Sequence, residues 1–234
     1  MNEKTVSVVL PSYNESENIK EAIERIHKAL GNQLHEIIVV DDNSPDLTWK
    51  IVENLDNPKY RVIRRMTERG LASALARGVH EAKGDIIAWM DCDLGLPPED
   101  LPRLVEQTQW HDIAIGSRYA EGGADNRAMW RGFASYAFNV YTSLLLGFHV
   151  RDYTSGFCAV RKEVFQMIPF PANGFGEYFI EFCHQAKKEN FRIKEIGYQY
   201  NYRKHGTSKL DSSKMQLAKF GFQYAWRVAR IRFR

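Results

Sequence analysis

The chain has 234 residues and a formal net charge of +3, with 44% hydrophobic and 26% charged residues. This balance suits one globular domain with an ordinary core and excludes disordered, collagen-like and disulfide-rich classes. The small net charge hides an asymmetry: from Asn201 to Arg234 nine basic residues stand against one acid, so that stretch carries +8 and residues 1–200 carry −5. The tail is therefore expected to meet something anionic, whether phosphate, membrane or nucleic acid.

Along the chain, short β-type runs alternate with helical patterns, as a mainly parallel sheet covered by helices requires. The spacing predicts strands over Val6–Leu10, Glu36–Val40, Tyr60–Arg64, Ile86–Met90 and Ile113–Gly116. Between the first two, Ile19, Ile23, Ile26 and Leu30 recur at helical spacing, with Asn14 or Ser16 as the cap. A second helix is expected after Asp46–Thr48 and a third from Leu71 to about Lys83, ended by Gly84. No strand is followed by GxGxxG, and no kinase-type phosphate loop occurs. Beyond Gly116 a charged, Gly-rich loop (Glu121–Arg127) leads to an apolar helix from about Trp130 to Gly147. Then come a strand at Phe157–Arg161, a helix near Glu177–Asn190, a strand near Arg192–Tyr200 and a basic helix after Ser212.

Cys92, Cys158 and Cys183 lie far apart and fit no zinc spacing, so they read as thiols in a reducing compartment, the cytosol. Val6–Leu10 is too short for a signal-peptide core. Phe133–Val150 is interrupted by Ser135, Asn139, Thr142, Ser143 and His149, so no transmembrane helix is expected.

Chemistry concentrates at strand ends. Asp91 and Asp93 stand at i and i+2 where an apolar strand runs out, a spacing that lets two carboxylates share one hard cation or simply form a solvated turn. Pro11-Ser12-Tyr13-Asn14-Glu15 and Asp41-Asp42-Asn43-Ser44 end the first two strands and can reach the same sheet edge. Asp42 could accept hydrogen bonds from a base or ribose, and Tyr13 offers an aromatic face. Either segment alone also reads as a helix-capping turn. Together the three acidic ends point to a nucleotide.

The motifs VVLPSYNESENI, IIVVDDNSPD, RGLASALARGVHEAKGDIIAWMDCDLGLPPEDL, IGSRYAEGG, WRGFAS, RDYTSGFCAVRKEVF and YRKHGTSKL, in this order from about Val6 to Leu210, resemble glycosyltransferase family 2, and within it the dolichyl-phosphate mannose synthase-like enzymes. The resemblance implies an α/β chain of GT-A fold, a Rossmann-like, mainly parallel sheet flanked by helices. Residues 1–210 would form the catalytic domain, and 211–234 a basic amphipathic helix at a membrane surface. It implies that Pro11, Tyr13, Glu15, Val40, Asp42, Asp91, Cys92 and Asp93 hold the nucleotide of a sugar donor. Asp91 and Asp93 would bind Mg²⁺ or Mn²⁺, with Asp93 the more direct ligand. Arg118 would face phosphates, Arg131 and Ser135 would clamp an acceptor phosphate, and Arg203 and Lys209 would cover the diphosphate. Many relatives carry a polar side chain, in some a metal ligand, where this chain has Gly95.

The expected activity is metal-dependent, inverting transfer of a hexose, mannose from GDP-mannose, to dolichyl or another polyprenyl phosphate. The enzyme would be peripheral at the cytoplasmic face of a membrane. A UDP-sugar donor such as UDP-glucose, a hydroxyl acceptor in polysaccharide synthesis, or a non-catalytic nucleotide-sugar-binding subunit are the alternatives. A hydroxyl acceptor would require a base, for which Asp152, Glu177 and Glu181 are candidates, though each reads more readily as structural. Nucleic acid is not an expected partner, because carboxylates at the site repel a phosphate backbone.

Overall fold

Runs rich in Val and Ile form the strands at the centre of a computed structural model that describes residues 4–174, 176–201 and 224–233. In chain order the elements are β1 (Val6–Ser12), α1 (Ile19–Leu30), β2 (Leu34–Asp41), α2 (Thr48–Glu53), β3 (Tyr60–Arg64), α3 (Leu71–Glu81), β4 (Ile86–Trp89) and α4 (Leu101–Gln107). There follow β5 (Ile113–Ser117), β6 (Ala124–Asp125), α5 (Met129–Leu146), β7 (Cys158–Arg161), α6 (Val164–Met167), α7 (Glu177–Lys188), β8 (Ile193–Gly197) and β9 (Gln199–Tyr200). Residues 224–232 form a last helix.

Among the described residues, seven strands make one sheet in the order β3-β2-β1-β4-β7-β5-β8, and β6 pairs with β9 in a separate ribbon. Only β7 runs antiparallel to its neighbours in the large sheet. Central strands covered on both faces need apolar residues at nearly every position, which explains the Ile37–Val40 run and the Val6–Leu10 run, broken only by Ser7. Alternate residues serve opposite layers. Val8 and Leu10 pack with Ile19, Ile23 and Ile26 of α1, whereas Val9 and Trp89 pack with Leu75 of α3 and Phe179 and Phe182 of α7. Helix α3 sits tightly on the sheet because residue 78 is glycine: a Cβ there would lie 2.2 Å from Val9 Cγ1.

Most expected elements are present within a residue or two. Three differences have physical causes. Helix α1 begins only at Ile19, since the Asn14 N–H donates to Ser44 Oγ and the Ser16 N–H to Asp46 Oδ2, so both candidate caps belong to the preceding turn. The strand expected to Tyr200 leaves the main sheet after Gly197, where a Cβ would strike the Glu121 carbonyl at 2.1 Å, and continues in β9. In the last helix, Val228 and Ile231 are buried, Tyr224 Oη accepts the Gly176 N–H, and Arg227 pairs with Glu177 and Glu181. Ile231 thus faces inward, while Trp226 and Phe233 are exposed. The helix start after Ser212 and the boundary at residue 210 lie outside the described residues.

Candidate active site

Strands β1, β2, β4 and β5 run in one direction, so their carboxyl ends bring Tyr13 and Glu15, Asp42, Asp91 and Asp93, and Arg118 to one edge. After β1 the chain builds outward through β2 and β3, then returns to place β4 on the other side of β1. Ligands in open α/β sheets bind at such a switch point.

The loops at this edge are fixed by buried carboxylates. Asp41 accepts the Ser44 N–H and hydroxyl at 2.8 and 2.6 Å, and Ser44 Oγ in turn accepts the Asn14 N–H. Asp46 accepts from Ser16 N–H and from Thr48, whose Oγ1 accepts the Glu15 N–H. Burial pushes the Asp46 carboxyl up, but the hydrogen bonds from Thr48 and Ser16 outweigh it and hold it below its ordinary value. Asp42, only 7% exposed, accepts from Arg65 Nε and Nη2 and from the Gly70 N–H. Its carboxylate therefore anchors the segment 65–70, and that segment places Arg69 Cζ 5.3 Å from the Tyr13 ring. Val40 is fully buried, with its Cγ2 in the tight contact zone of Gly78, so it shapes the floor through packing and backbone.

In the turn after β4, Asp93 is buried and its Oδ1 accepts the Gly95 N–H at 2.9 Å. The Cys92 thiol donates to the Pro11 carbonyl, joining the β4 turn to the end of β1. Burial pushes that thiol well up, and the carboxylates of Glu15, Asp93 and Asp91 around it push the same way. Cys92 is thus a protonated packing residue amid three acids. The described residues contain no cluster of three or more His, Cys, Asp or Glu able to hold a metal. Two carboxylates of hard oxygen nevertheless fit Mg²⁺ or Mn²⁺ that arrives with phosphate oxygens, the usual mode for Mg²⁺.

Arg118, expected to face phosphates, is buried and engaged within the protein. Its N–H, Nε and Nη2 donate to the fully buried Asp152 at 3.0, 2.8 and 2.6 Å, and Nη2 also reaches Thr154 Oγ1. Burial works against the charge, but Asp152 more than compensates and keeps the guanidinium protonated. Arg131 and Ser135 lie, partly buried, on the first two turns of α5. Asn139 of the same helix bonds Thr154 Oγ1 and the Tyr153 N–H, and the Tyr119 and Tyr136 rings meet edge-on at 5.6 Å. Helix α5 is therefore tied directly to the strand-end site. Arg203 and Lys209 lie outside the described residues.

Helix α5 also carries an apolar outer stripe. Its buried residues are Asn139, Thr142, Ser143 and Leu146, whereas Met129, Phe133, Tyr136, Leu144 and, just beyond it, Phe148 are more than half exposed. The interrupting polar residues lie on its inner side, beside Leu146 and the partly buried Phe138, Tyr141 and Leu145. Arg65, Arg69 and Asp152's tie to Arg118 were not foreseen as parts of the site. The basic run before Gly70 is a local signal for the first two, but nothing local pairs residues 118 and 152.

The family model described as glycosyl transferase family 2 matches residues 7–168. Dolichol-phosphate mannosyltransferase of Pyrococcus furiosus is 41% identical over 88% of this chain, and the chain spans 59% of that protein's length. Polyprenol monophosphomannose synthase of Mycolicibacterium smegmatis is 34% identical over 91% of this chain and 83% of its own. Glucosyl-3-phosphoglycerate synthase of Mycobacterium tuberculosis, solved with UDP, superposes with a TM-score of 0.75 at 21% identity, covering 98% of this chain and 80% of that one. The same enzyme has been solved with Mn²⁺, UDP and phosphoglyceric acid. At that identity the likeness establishes the shared fold.

Because Asp152 has no exposed surface, its removal leaves the buried Arg118 charge with only the longer contact to Asp125 at 3.5 Å. Asp152→Ala is expected to lower unfolding stability by about 3–5 kcal/mol, measured by chemical denaturation.

Proposed function

The chain belongs to glycosyl transferase family 2, and from that membership we propose that it transfers a hexose, mannose from GDP-mannose, to dolichyl or another polyprenyl phosphate. The names of the relatives from Pyrococcus and Mycolicibacterium support this substrate pair. The observation that carries the reading is the exposed apolar stripe of α5, the helix that also bears Arg131 and Ser135. A lipid phosphate is the acceptor such a surface suits, since its headgroup needs a cation and its chain needs hydrocarbon.

Tyr13 and Arg69 flank the place of the base, Glu15 and the loop ordered by Asp41 and Asp46 border the ribose, and Asp91 and Asp93 face the diphosphate. Asp91 and Asp93 would hold a divalent cation, whose positive charge would offset the negative charge that develops on the leaving diphosphate. Arg203 and Lys209 would add fixed charge there. Arg118 acts as a support: held by Asp152, it keeps the end of β5 against the loop on which α5 rests. Arg131 and Ser135 bind the acceptor phosphate so that one of its oxygens attacks the anomeric carbon opposite the diphosphate, which inverts that centre.

No protein base is needed, because a monoalkyl phosphate with a second pKa of about 6 is already a dianion at neutral pH. The candidate bases support this. Asp152 is bound by Arg118, and Glu177 and Glu181 are bound by Arg227. Work at the cytoplasmic face of a membrane accords with three buried free thiols.

Radiolabelled mannose should pass from GDP-mannose into organic-extractable, mild-acid-labile lipid when purified protein, Mg²⁺ and a polyprenyl phosphate are mixed, with UDP-glucose run in parallel. Asp93→Ala should abolish that product; a product of wild-type yield from the variant contradicts the assignment. Replacing Phe133 and Leu144 by Glu should weaken vesicle flotation at least ~10-fold, given about 1.5–3 kcal/mol for each buried side chain. GDP affinity should stay unchanged.

A further inference from the structure

The turn that carries Asp91 and Asp93 has no side chain at Gly95, yet the space beside it is filled. A Cβ built on Gly95 would lie 3.1 Å from Asp93 Oδ1, 3.2 Å from Tyr200 Oη and 3.3 Å from Tyr200 Cζ. The tip of the Tyr200 phenol is therefore in tight contact with the point where a side chain at position 95 would begin, as is Asp93 Oδ1.

Several contacts hold it there. The Asn201 N–H donates to the Gly95 carbonyl at 3.0 Å, so the end of β9 is bonded directly to the turn. Tyr200 is in register with Asp125 in the β6–β9 ribbon, and its carbonyl accepts the Asn126 N–H. Arg127 Cζ lies 4.9 Å and Arg118 Cζ 5.8 Å from the ring centre, and the Tyr198 ring meets it at 6.2 Å. Arg127 is itself fixed by Asp125 through bonds of 2.8 and 2.5 Å. These partners come from three separate parts of the chain, so the placement is built by the fold and not by a local turn.

We infer that Tyr200 is a donor-site residue whose phenolic hydroxyl stands in for the side chain absent at Gly95 and hydrogen-bonds the cation–diphosphate end of a bound nucleotide sugar. The inference rests on Asp91 and Asp93 being the cation site proposed above. The chemistry suits the place. Glu15, Asp91 and Asp93 already supply negative charge, and a neutral hydroxyl adds a donor for a diphosphate oxygen or for a metal-bound water without adding more. Gly95 and Tyr200 are then a matched pair: any side chain at 95 would require the Tyr200 ring to give way by a few tenths of an ångström. Residues that support a metal's ligands in this way typically control affinity by about 10–100-fold.

The test is Mn²⁺ binding to the full-length protein in the presence of GDP, and in parallel UDP, followed by the electron paramagnetic resonance of free Mn²⁺. Tyr200→Phe should weaken Mn²⁺ about 10-fold with an unchanged melting temperature, while Tyr198→Phe, a neighbouring hydroxyl away from Gly95, should bind as wild type. If Tyr200→Phe keeps wild-type affinity while Asp93→Ala loses it, the assignment of Tyr200 is overturned and the cation site stands. An equal loss in Tyr198→Phe also overturns it, since general packing then explains the effect. Undiminished Mn²⁺ binding by Asp93→Ala overturns the cation site and the role of Tyr200 with it.

Discussion

The catalytic edge depends on a single buried carboxylate. Asp152 has no exposed surface, accepts three hydrogen bonds from Arg118, and donates its own N–H to Glu195 on β8. Thr154 Oγ1 then accepts from both Arg118 and Asn139, so one group of contacts joins β5, β8, the 152–154 loop and α5. A carboxylate taken from water is tolerated only when its oxygens are satisfied and its charge is met, and here both conditions hold through Arg118. The position of α5 over the sheet edge follows from that pair.

With α5 set in this way, the site divides by chemistry. Carboxylates and loops ordered by Asp41, Asp42 and Asp46 occupy the sheet side, the place of the proposed nucleotide and cation. The side of α5 offers Arg131, Ser135 and an apolar outer stripe. Water is a poor environment for that stripe, whereas the inner face of Asn139, Thr142 and Ser143 is satisfied by bonds to Ser135, Phe138, Val150, Tyr153 and Thr154. A helix with apolar residues on its outer as well as its inner side departs from the one-sided pattern of a soluble surface helix.

The fold was legible wherever the physics is local. The central parallel strands β1, β2 and β4 are mostly apolar runs between turn residues, and α1 shows its buried face at 19, 22, 23, 26 and 30. Strand direction is not encoded in such runs, so the reversed β7 between β4 and β5 was invisible. The acidic strand ends were legible as a group because parallel strands bring their ends together. The partners of those residues were not: Asp42 with Arg65, Arg118 with Asp152, and Gly95 with Tyr200 are separated by 23, 34 and 105 positions. Only the assembled sheet brings them together. The resemblance gives Arg118 a phosphate-facing role, and its pairing with Asp152 is visible only in the fold.

The central claim is that the acceptor phosphate is its own nucleophile, since the candidate protein bases are held in ion pairs. The most direct measurement compares mannosyl transfer to a polyprenyl phosphate with transfer to the corresponding polyprenol across pH 5–8. The account predicts product from the phosphate alone, with a rate that rises through its second ionisation at about pH 6. Equal transfer to the alcohol, with a pH dependence that ignores the phosphate, would contradict it.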